Sequence, residues 1–455
     1  MENINSENYT EENPLEIDGS ILEGGGQILR ISISLSYMLK IPIKIINIRK
    51  KRNNPGLQRQ HLGCTQFITE LYNSKKVTGL SLNSTEMTLV PTDLEIKKEN
   101  NKDIKCSLNS AGSVGLMIQE LLPCSLFSSI IENNSKDENN NKLSITLTGG
   151  TLVKFSPTIY YLNEVLFPIL SKYMNIKASC DIIRDGIYPI GLGEVVLNVE
   201  KINKLKNENI HPINILERGK FLKAEIRFCY TSNFRFKVEP ICDTIYKGAK
   251  KIIRNEYIEN GNSKDEDGEE IEFDESEIIK EERICLGNKY FTFYYQVVMI
   301  YENTRIKGDF MISEKKGNFI IDDIIDKCLD VTFYTVKNYE VCLDEHTVDH
   351  LIIFMTLAKG ISKIKVGEIS LHTQTAIEIV KKFINNVKIN IIKVMLMKFN
   401  RLEGLREEYD LKSKDKLTES EAYGIIKQNW SMIQEKYLYQ ICIEENYMCN
   451  RHSDI

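Results

Sequence analysis

The sequence predicts an α+β protein: three related small units, each a sheet backed by two helices, with a smaller α/β domain inserted. Three observations carry that expectation. One succession of runs occurs three times: an apolar helix-like run, a β-like run, a loop, an amphipathic helix and further β-like runs. The third copy is separated from the second by residues 216–338, which carry strand and helix patterns of their own. The composition, 42% hydrophobic and 27% charged over 455 residues, is that of a globular chain long enough for two or three domains. The expected boundaries are 15–215 for the first part of the core, 216–338 for the insert and 339–447 for the last part.

The first copy reads as a helix over Gln27–Leu39, a strand over Ile41–Ile48, a loop through Arg52, Pro55 and His61, and a helix over Leu62–Tyr72. In the second, helix Ser113–Phe127 precedes strand Leu143–Leu147, loop Gly149–Pro157 and helix Thr158–Met174. The third has helix Val348–Ala358, strand Ile361–Val366, a loop around His372, and helix Ala376–Asn385. Strands are expected after each second helix, at Gly79–Leu89, at Ile176–Ile183 with Val195–Val199, and at Val387–Met397. Inside the insert, strands are expected at Lys223–Tyr230 and Tyr290–Tyr301, and a helix at Ile241–Glu256. Asn133–Asn141 reads as a hairpin-like loop, and Arg401–Glu419 as a charged surface excursion before a last strand, Tyr437–Ile443.

Charge is uneven. Residues 265–282 hold eleven acids and one lysine, so this stretch carries −10, the whole chain −5 and the remainder +5. The acidic stretch, 261–282, is expected as a disordered loop, and the mildly basic body can accept a polyanion. No apolar run approaches the roughly 18 residues that span a membrane. Met1–Asn13 is polar and acidic, so neither a signal peptide nor a membrane helix is expected. Eleven cysteines without a Cys-x-x-Cys pair point to reduced intracellular thiols and not to a disulfide framework or structural zinc.

Four stretches carry candidate chemistry. His372 stands between a β-like and a helical run. Thr375 and Glu378 form Thr-x-x-Glu, which predicts a helix starting just after Thr375. A helix start attracts phosphate and disfavours a charged imidazole, and a neutral imidazole there can attack phosphorus. Glu23-Gly24-Gly25-Gly26-Gln27 opens a helix, but its spacing is neither that of a P-loop nor that of a dinucleotide fingerprint. Arg49, Lys50, Lys51 and Arg52, then Pro55-Gly56 and Arg59-Gln60-His61, form a basic loop suited to phosphate contacts or to a solvated face. His346 and His350 lie four apart on one helix face with Asp349 beside them, a spacing shared with some zinc sites that also arises by chance.

Taken together, these stretches resemble the RNA 3′-terminal phosphate cyclase family. The matching runs are Ile17-Asp18-Gly19-Ser20 through Glu23–Arg30, and Ile48–Arg52 with Pro55-Gly56-Leu57 and Gln60-His61-Leu62. They continue with Ala111-Gly112-Ser113, Leu147–Thr151, Tyr188-Pro189 through Gly193-Glu194-Val195, Glu217-Arg218-Gly219 and Leu371–Ala376. The resemblance implies three repeated units, like the C-terminal domain of a bacterial translation initiation factor, plus an inserted α/β domain. It implies ATP-dependent conversion of RNA 3′-phosphate ends to 2′,3′-cyclic phosphates through AMP on the imidazole of His372. AMP and diphosphate are released, with Mg2+ or Mn2+ as cofactor. Glu23 is then the metal residue. Arg30, Arg49, Arg52, Gln60 and His61 are candidates for phosphate or RNA. Gln119, Pro157, His346, Asp349 and His350 border the ATP together with His372. The family commonly has Tyr at the position of His346 and Gln at that of His350.

Partners implied are RNA with 3′-phosphate ends and ATP, with no membrane and no disulfide partner; the implied compartment is the nucleus, or else the cytoplasm. A sister branch resembling the cyclase is a non-catalytic ribosome-assembly factor that lacks the Glu-Gly-Gly-Gly-Gln run and the histidine, both present here. A zinc enzyme built on His346 and His350 is the remote alternative.

Overall fold

A computed structural model describes residues 9–98, 103–108, 111–132, 135–136, 141–202, 209–259, 274–285, 290–315, 320–337, 341–384, 387–395 and 437–444. It is mixed α/β, with several small sheets backed by helices. Arg401–Glu419 and residues 261–273 lie outside the described part.

The chain starts with strand β1 (Leu15–Asp18), helix α1 (Gly26–Leu39), β2 (Ile43–Ile46), α2 (Arg59–Leu71), β3 (Lys76–Thr78) and β4 (Met87–Val90). These strands form one sheet in the order β1-β2-β4-β3, the first pair parallel and the others antiparallel. Next come β5 (Glu95–Lys98), β6 (Ile104–Ser107), α3 (Val114–Leu126), β7 (Ser129–Glu132), β8 (Ser135–Lys136) and β9 (Lys142–Gly149). The helix expected over Thr158–Met174 is divided into α4 (Ile159–Tyr161), a π-helical turn (Leu162–Leu166) and α5 (Phe167–Met174). Strands β10 (Ala178–Arg184) and β11 (Gly193–Glu200) follow, and the second sheet runs β6-β9-β11-β10. Its first pair is again parallel and its other pairs antiparallel. A smaller sheet joins β5, β7 and β8; β8 falls within Asn133–Asn141, expected as a hairpin-like loop, of which 133–134 and 137–140 lie outside the described residues.

After β12 (Asn214–Ile215) the chain builds β13 (Phe221–Thr231), α6 (Arg235–Glu259), β14 (Ile278–Cys285), β15 (Tyr290–Tyr301), β16 (Arg305–Lys315) and α7 (Ile321–Lys337). It then returns with α8 (Glu345–Leu357), β17 (Ile361–Val366), α9 (Leu371–Phe383), β18 (Lys388–Met395) and β19 (Tyr437–Glu444). The sheet β12-β17-β19-β18 shares the strand order and directions of the first two. Strands β14-β13-β15-β16 form a separate sheet with its own apolar cluster, in which Phe228, Phe293 and Tyr295 are fully buried.

The strand expected over Gly79–Leu89 forms only at Met87–Val90, with β3 ahead of it at Lys76–Thr78, and two expectations change in the insert. The acidic run is not loop throughout: Glu275–Glu277 form a 3-10 turn, and Ile278–Glu282 belong to β14, parallel to β13. Its charges are matched by neighbours. Lys250 meets Glu275, Arg227 meets Glu281 at 2.7 Å, and Lys280 meets Glu282. Strand β16 and helix α7 were not foreseen; α7 buries Ile324, Cys328, Thr332 and Val336, one stripe at helical spacing.

Packing sets where the helix ends fall. Helix α1 lies against α3 and α9, and α9 against α8. Residues Thr347–Leu357 of α8 are buried on every face, as expected for a helix enclosed by others. No helix among the described residues is long and apolar enough to cross a membrane. Cysteines such as Cys64, Cys124, Cys229 and Cys328 are buried in the core, and none of those whose side chains are described forms a disulfide.

Candidate functional site

Helix α9 starts five residues earlier than Thr375 would set it. Ser370 is its cap: Oγ accepts the Thr373 N–H at 3.0 Å. Asp349 of α8 fixes this start, its Oδ1 accepting from Ser370 Oγ at 3.0 Å and from Thr373 Oγ1. The Thr375 hydroxyl instead donates to the Leu371 carbonyl at 2.7 Å, within the helix. His372 is therefore in the first helical turn and not in the loop before it. The backbone N–H groups of that turn still face the N-terminal end, as does the positive end of the macrodipole.

The partner elements bring acceptors to one nitrogen of His372. Gly24 takes a left-handed conformation, φ +58°, and Gly25 caps α1 in an extended one. This turn delivers Glu23 and Gln27. Gln27 Oε1 lies 2.9 Å from His372 Nδ1, and Glu23 Oε2 lies 3.1 Å from it. The Gln27 acceptor and the Glu23 carboxylate charge beside Nδ1 favour the tautomer with hydrogen there and leave the Nε2 lone pair available. The imidazole is 48% exposed and Glu23 only 10%. Burial, countered by Asp349 but reinforced by Arg30 and Arg52, lowers the His372 pKa below the ordinary imidazole value.

Arg52 pairs with the other oxygen of Glu23. Arg30, one turn along α1 from Gln27, donates Nε–H to Gln119 Oε1 at 2.7 Å. Burial, countered by Glu120, pushes its pKa down to about 10, so it is still a cation at neutral pH. His61 is largely enclosed beside Gly26, where an added Cβ would come within 2.4 Å of its Nε2. Burial and the charges of Arg30 and Arg49 take its pKa down to about 3, so it is a neutral ring. Gln60 Oε1 accepts the Ser113 N–H at 3.3 Å, at the start of α3. The starts of α1, α2, α3 and α9 thus join one chain of contacts, a region that favours anions.

Other expected residues stand around this group. Arg49 has φ +53° and spends Nη1 on the carbonyls of Asn54 (2.6 Å) and Gly56 (3.2 Å), shaping the basic loop. The Pro157 carbonyl packs on Gly115, where a Cβ would come within 2.0 Å. Asp349, Gln119 and His350 line one small cavity with Ile31, Ile118 and Phe354. Burial raises the Asp349 carboxyl to about 6 despite its two hydroxyl donors. His350 is buried, its ring 5.7 Å from that of Tyr161, and its pKa falls to about 4. His346 is half-exposed, 3.8 Å from the Glu345 carboxylate.

Gln27 was part of the glycine motif but had no role in the sequence reading. Its signal was a polar residue in an apolar helix; it is 2% exposed.

The residues suit a borrowed divalent cation better than a built-in one. Glu23 Oε2 is buried and makes no hydrogen bond. One carboxylate oxygen beside substrate phosphates is a typical Mg2+ arrangement. Among the described residues no three His, Cys, Asp or Glu side chains are grouped to hold a metal. His350 Nδ1 is engaged with the His346 carbonyl at 2.7 Å, and its Nε2 is buried without a hydrogen bond.

The RNA 3′-terminal phosphate cyclase family model matches residues 21–391. A probable RNA 3′-terminal phosphate cyclase of Dictyostelium discoideum is 32% identical over 374 residues, 81% of this chain and 76% of that protein. RNA 3′-terminal phosphate cyclases of Desulfurococcus amylolyticus and Saccharolobus islandicus are 30% and 33% identical, each over 83% of this chain and over 94% and 96% of their own lengths. With the match extending from the glycine turn through α9, the chain belongs to the RNA 3′-terminal phosphate cyclase family.

Proposed function

We propose that the chain is an ATP-dependent cyclase that converts RNA 3′-phosphate ends to 2′,3′-cyclic phosphates through AMP carried on His372. The observation that carries this reading is the Gln27 Oε1 acceptor and the charged Glu23 Oε2 beside Nδ1 of a half-exposed histidine in a first helical turn.

A phosphomonoester is a poor electrophile, so it must first become an anhydride. In the first step Nε2 attacks the α-phosphorus of ATP; the N–P bond forms, the bond to the bridging oxygen breaks, and diphosphate leaves. The positive charge that develops on the ring is met by Glu23 across Nδ1–H. Arg30 and Arg52 are the cations beside the phosphates, and the first-turn N–H groups of α9 are donors on the same side. A divalent cation, held by Glu23 and phosphate oxygens, supplies further charge neutralisation when bound. An oxygen of the RNA 3′-phosphate next attacks the same phosphorus, and the imidazole departs with its lone pair restored. Finally the 2′-hydroxyl attacks the activated 3′-phosphorus, loses its proton, and expels AMP.

Gln119, Pro157, His346, Asp349 and His350 are proposed to border the nucleotide. The reading of 216–338 as an inserted domain also belongs to this proposal, supported by its separate sheet and apolar cluster.

Purified protein, ATP, Mg2+ or Mn2+ and an RNA with a labelled 3′-phosphate are expected to give a label that phosphatase cannot remove, with AMP released in equal amount. RNA binding without any such product would favour the non-catalytic branch.

A further inference from the structure

We propose that the β9–α4 loop carrying Lys154 and Phe155, with the adjoining β10–β11 loop carrying Tyr188, is a stacking platform for the single-stranded RNA preceding the 3′-phosphate. This rests on the cyclase reading for its substrate, but the feature itself is independent of His372.

Phe155 is 93% exposed, so it contributes nothing to a core. Its backbone is left-handed, φ +60°, a conformation that bulky side chains seldom adopt. A large ring held in water on such a backbone is a functional signal. The loop is held on both flanks. Ser156 Oγ donates to the Val153 carbonyl at 2.7 Å, and the Thr151 N–H donates to the Gly186 carbonyl at 2.8 Å. A bridge joins Leu152 to Ile187, which brings the second loop alongside. There Tyr188 and Ile190 are each 51% exposed and Leu192 64%.

The occupant follows from charge and position. Lys154 Nζ stands 5.1 Å from the Phe155 ring centroid, a cation beside an open aromatic face. Aromatic faces next to cations bind single-stranded nucleic acid, since every base has a face to stack and every linkage a negative charge. Duplex would hide those faces. The loop also leads to the reacting end. Pro157, two residues on, packs on Gly115 in the first turn of α3. Ser113, the cap of α3, is bonded to Gln60, whose neighbour His61 adjoins Gly26, next to Gln27 and so to His372. On this proposal, RNA with its phosphate near His372 lays its preceding bases on that rim.

The test is binding of a 5′-fluorescent single-stranded RNA of about ten nucleotides, within the range of one binding groove, ending in a 3′-phosphate and titrated without ATP. Phe155→Ala is expected to weaken it about tenfold, the scale of one lost stack, and Phe155→Trp to retain it. A dinucleotide with a 3′-phosphate should bind both proteins alike, and AMP labelling from ATP alone should be unchanged. Unchanged affinity for the longer RNA would overturn the platform, as would an equal loss for the dinucleotide. If the wild type takes no AMP yet Phe155→Ala still weakens RNA binding, the cyclase reading fails and the platform stands.

Discussion

His372→Ala is expected to bring AMP labelling of the protein to background, a loss on the order of 10^4-fold or more, the scale seen when a covalent nucleophile is removed. The two enclosed histidines nearby are poor substitutes. His61 is enclosed against Gly26 and His350 is buried with Nδ1 committed to a carbonyl. The fold should persist. The imidazole is half-exposed, and alanine suits a first helical turn. The substitution removes one hydrogen bond, from Nδ1 to Gln27, worth about 1 kcal/mol. A thermal midpoint within a few degrees of the wild type checks this. A collapse in stability together with activity would leave the loss of labelling without chemical meaning, so both are measured on the same preparation.

The second large effect is at Gln27. Gln27→Met keeps the length of the side chain in its buried position but removes the acceptor that fixes the imidazole. Glu23 still faces Nδ1, so orientation is weakened and not lost. Partners that orient a reactive histidine typically cost 10- to 100-fold when removed. A fall of about that size is expected in the rate of AMP transfer, with ATP affinity nearly unchanged because Gln27 acts on the ring. The pH profile separates this role from simple damage. The causes that lower the His372 pKa are burial, Arg30 and Arg52, and all remain in the variant. Both proteins should keep a rate plateau on the alkaline side and an acid limb below the ordinary imidazole value of 6.5. Only the height of the plateau should differ. An acid limb displaced upward in Gln27→Met would show that the residue works by opening or closing the site.

How much of this was legible depended on whether the information was local. The apolar periods marked α1, α3 and α8 to within a few residues, and Tyr290–Tyr301 was read at its observed limits, because a long β-branched and aromatic run has few alternatives. The start of α9 was misread because two caps competed. Thr375 has the better local motif, but Ser370 has Asp349, from another helix, accepting from its hydroxyl. The importance of Gln27 is likewise non-local, since its partner lies 345 residues away. Strand β14 was hidden by its acids. The repulsion in this strand and the turn before it is relieved by Arg227, which meets Glu281, and by Lys250, which meets Glu275; both cations lie on other elements, far away in sequence. Among the candidate residues, the sequence pointed to Glu23, Arg30, Arg52 and His372, which the fold brings near one another. It did not indicate that His61 is neutral or that Arg49 is partly spent on its own loop, because both depend on burial.

The most direct test of the central claim is where AMP becomes attached. Protein incubated with ATP and Mg2+, without RNA, is digested under neutral conditions and its peptides are sequenced by mass spectrometry. The account predicts one AMP on the peptide containing His372, linked to the imidazole and discharged when RNA with a 3′-phosphate is added. AMP found on a lysine or another histidine, or none on a protein that nonetheless cyclises RNA, would contradict it.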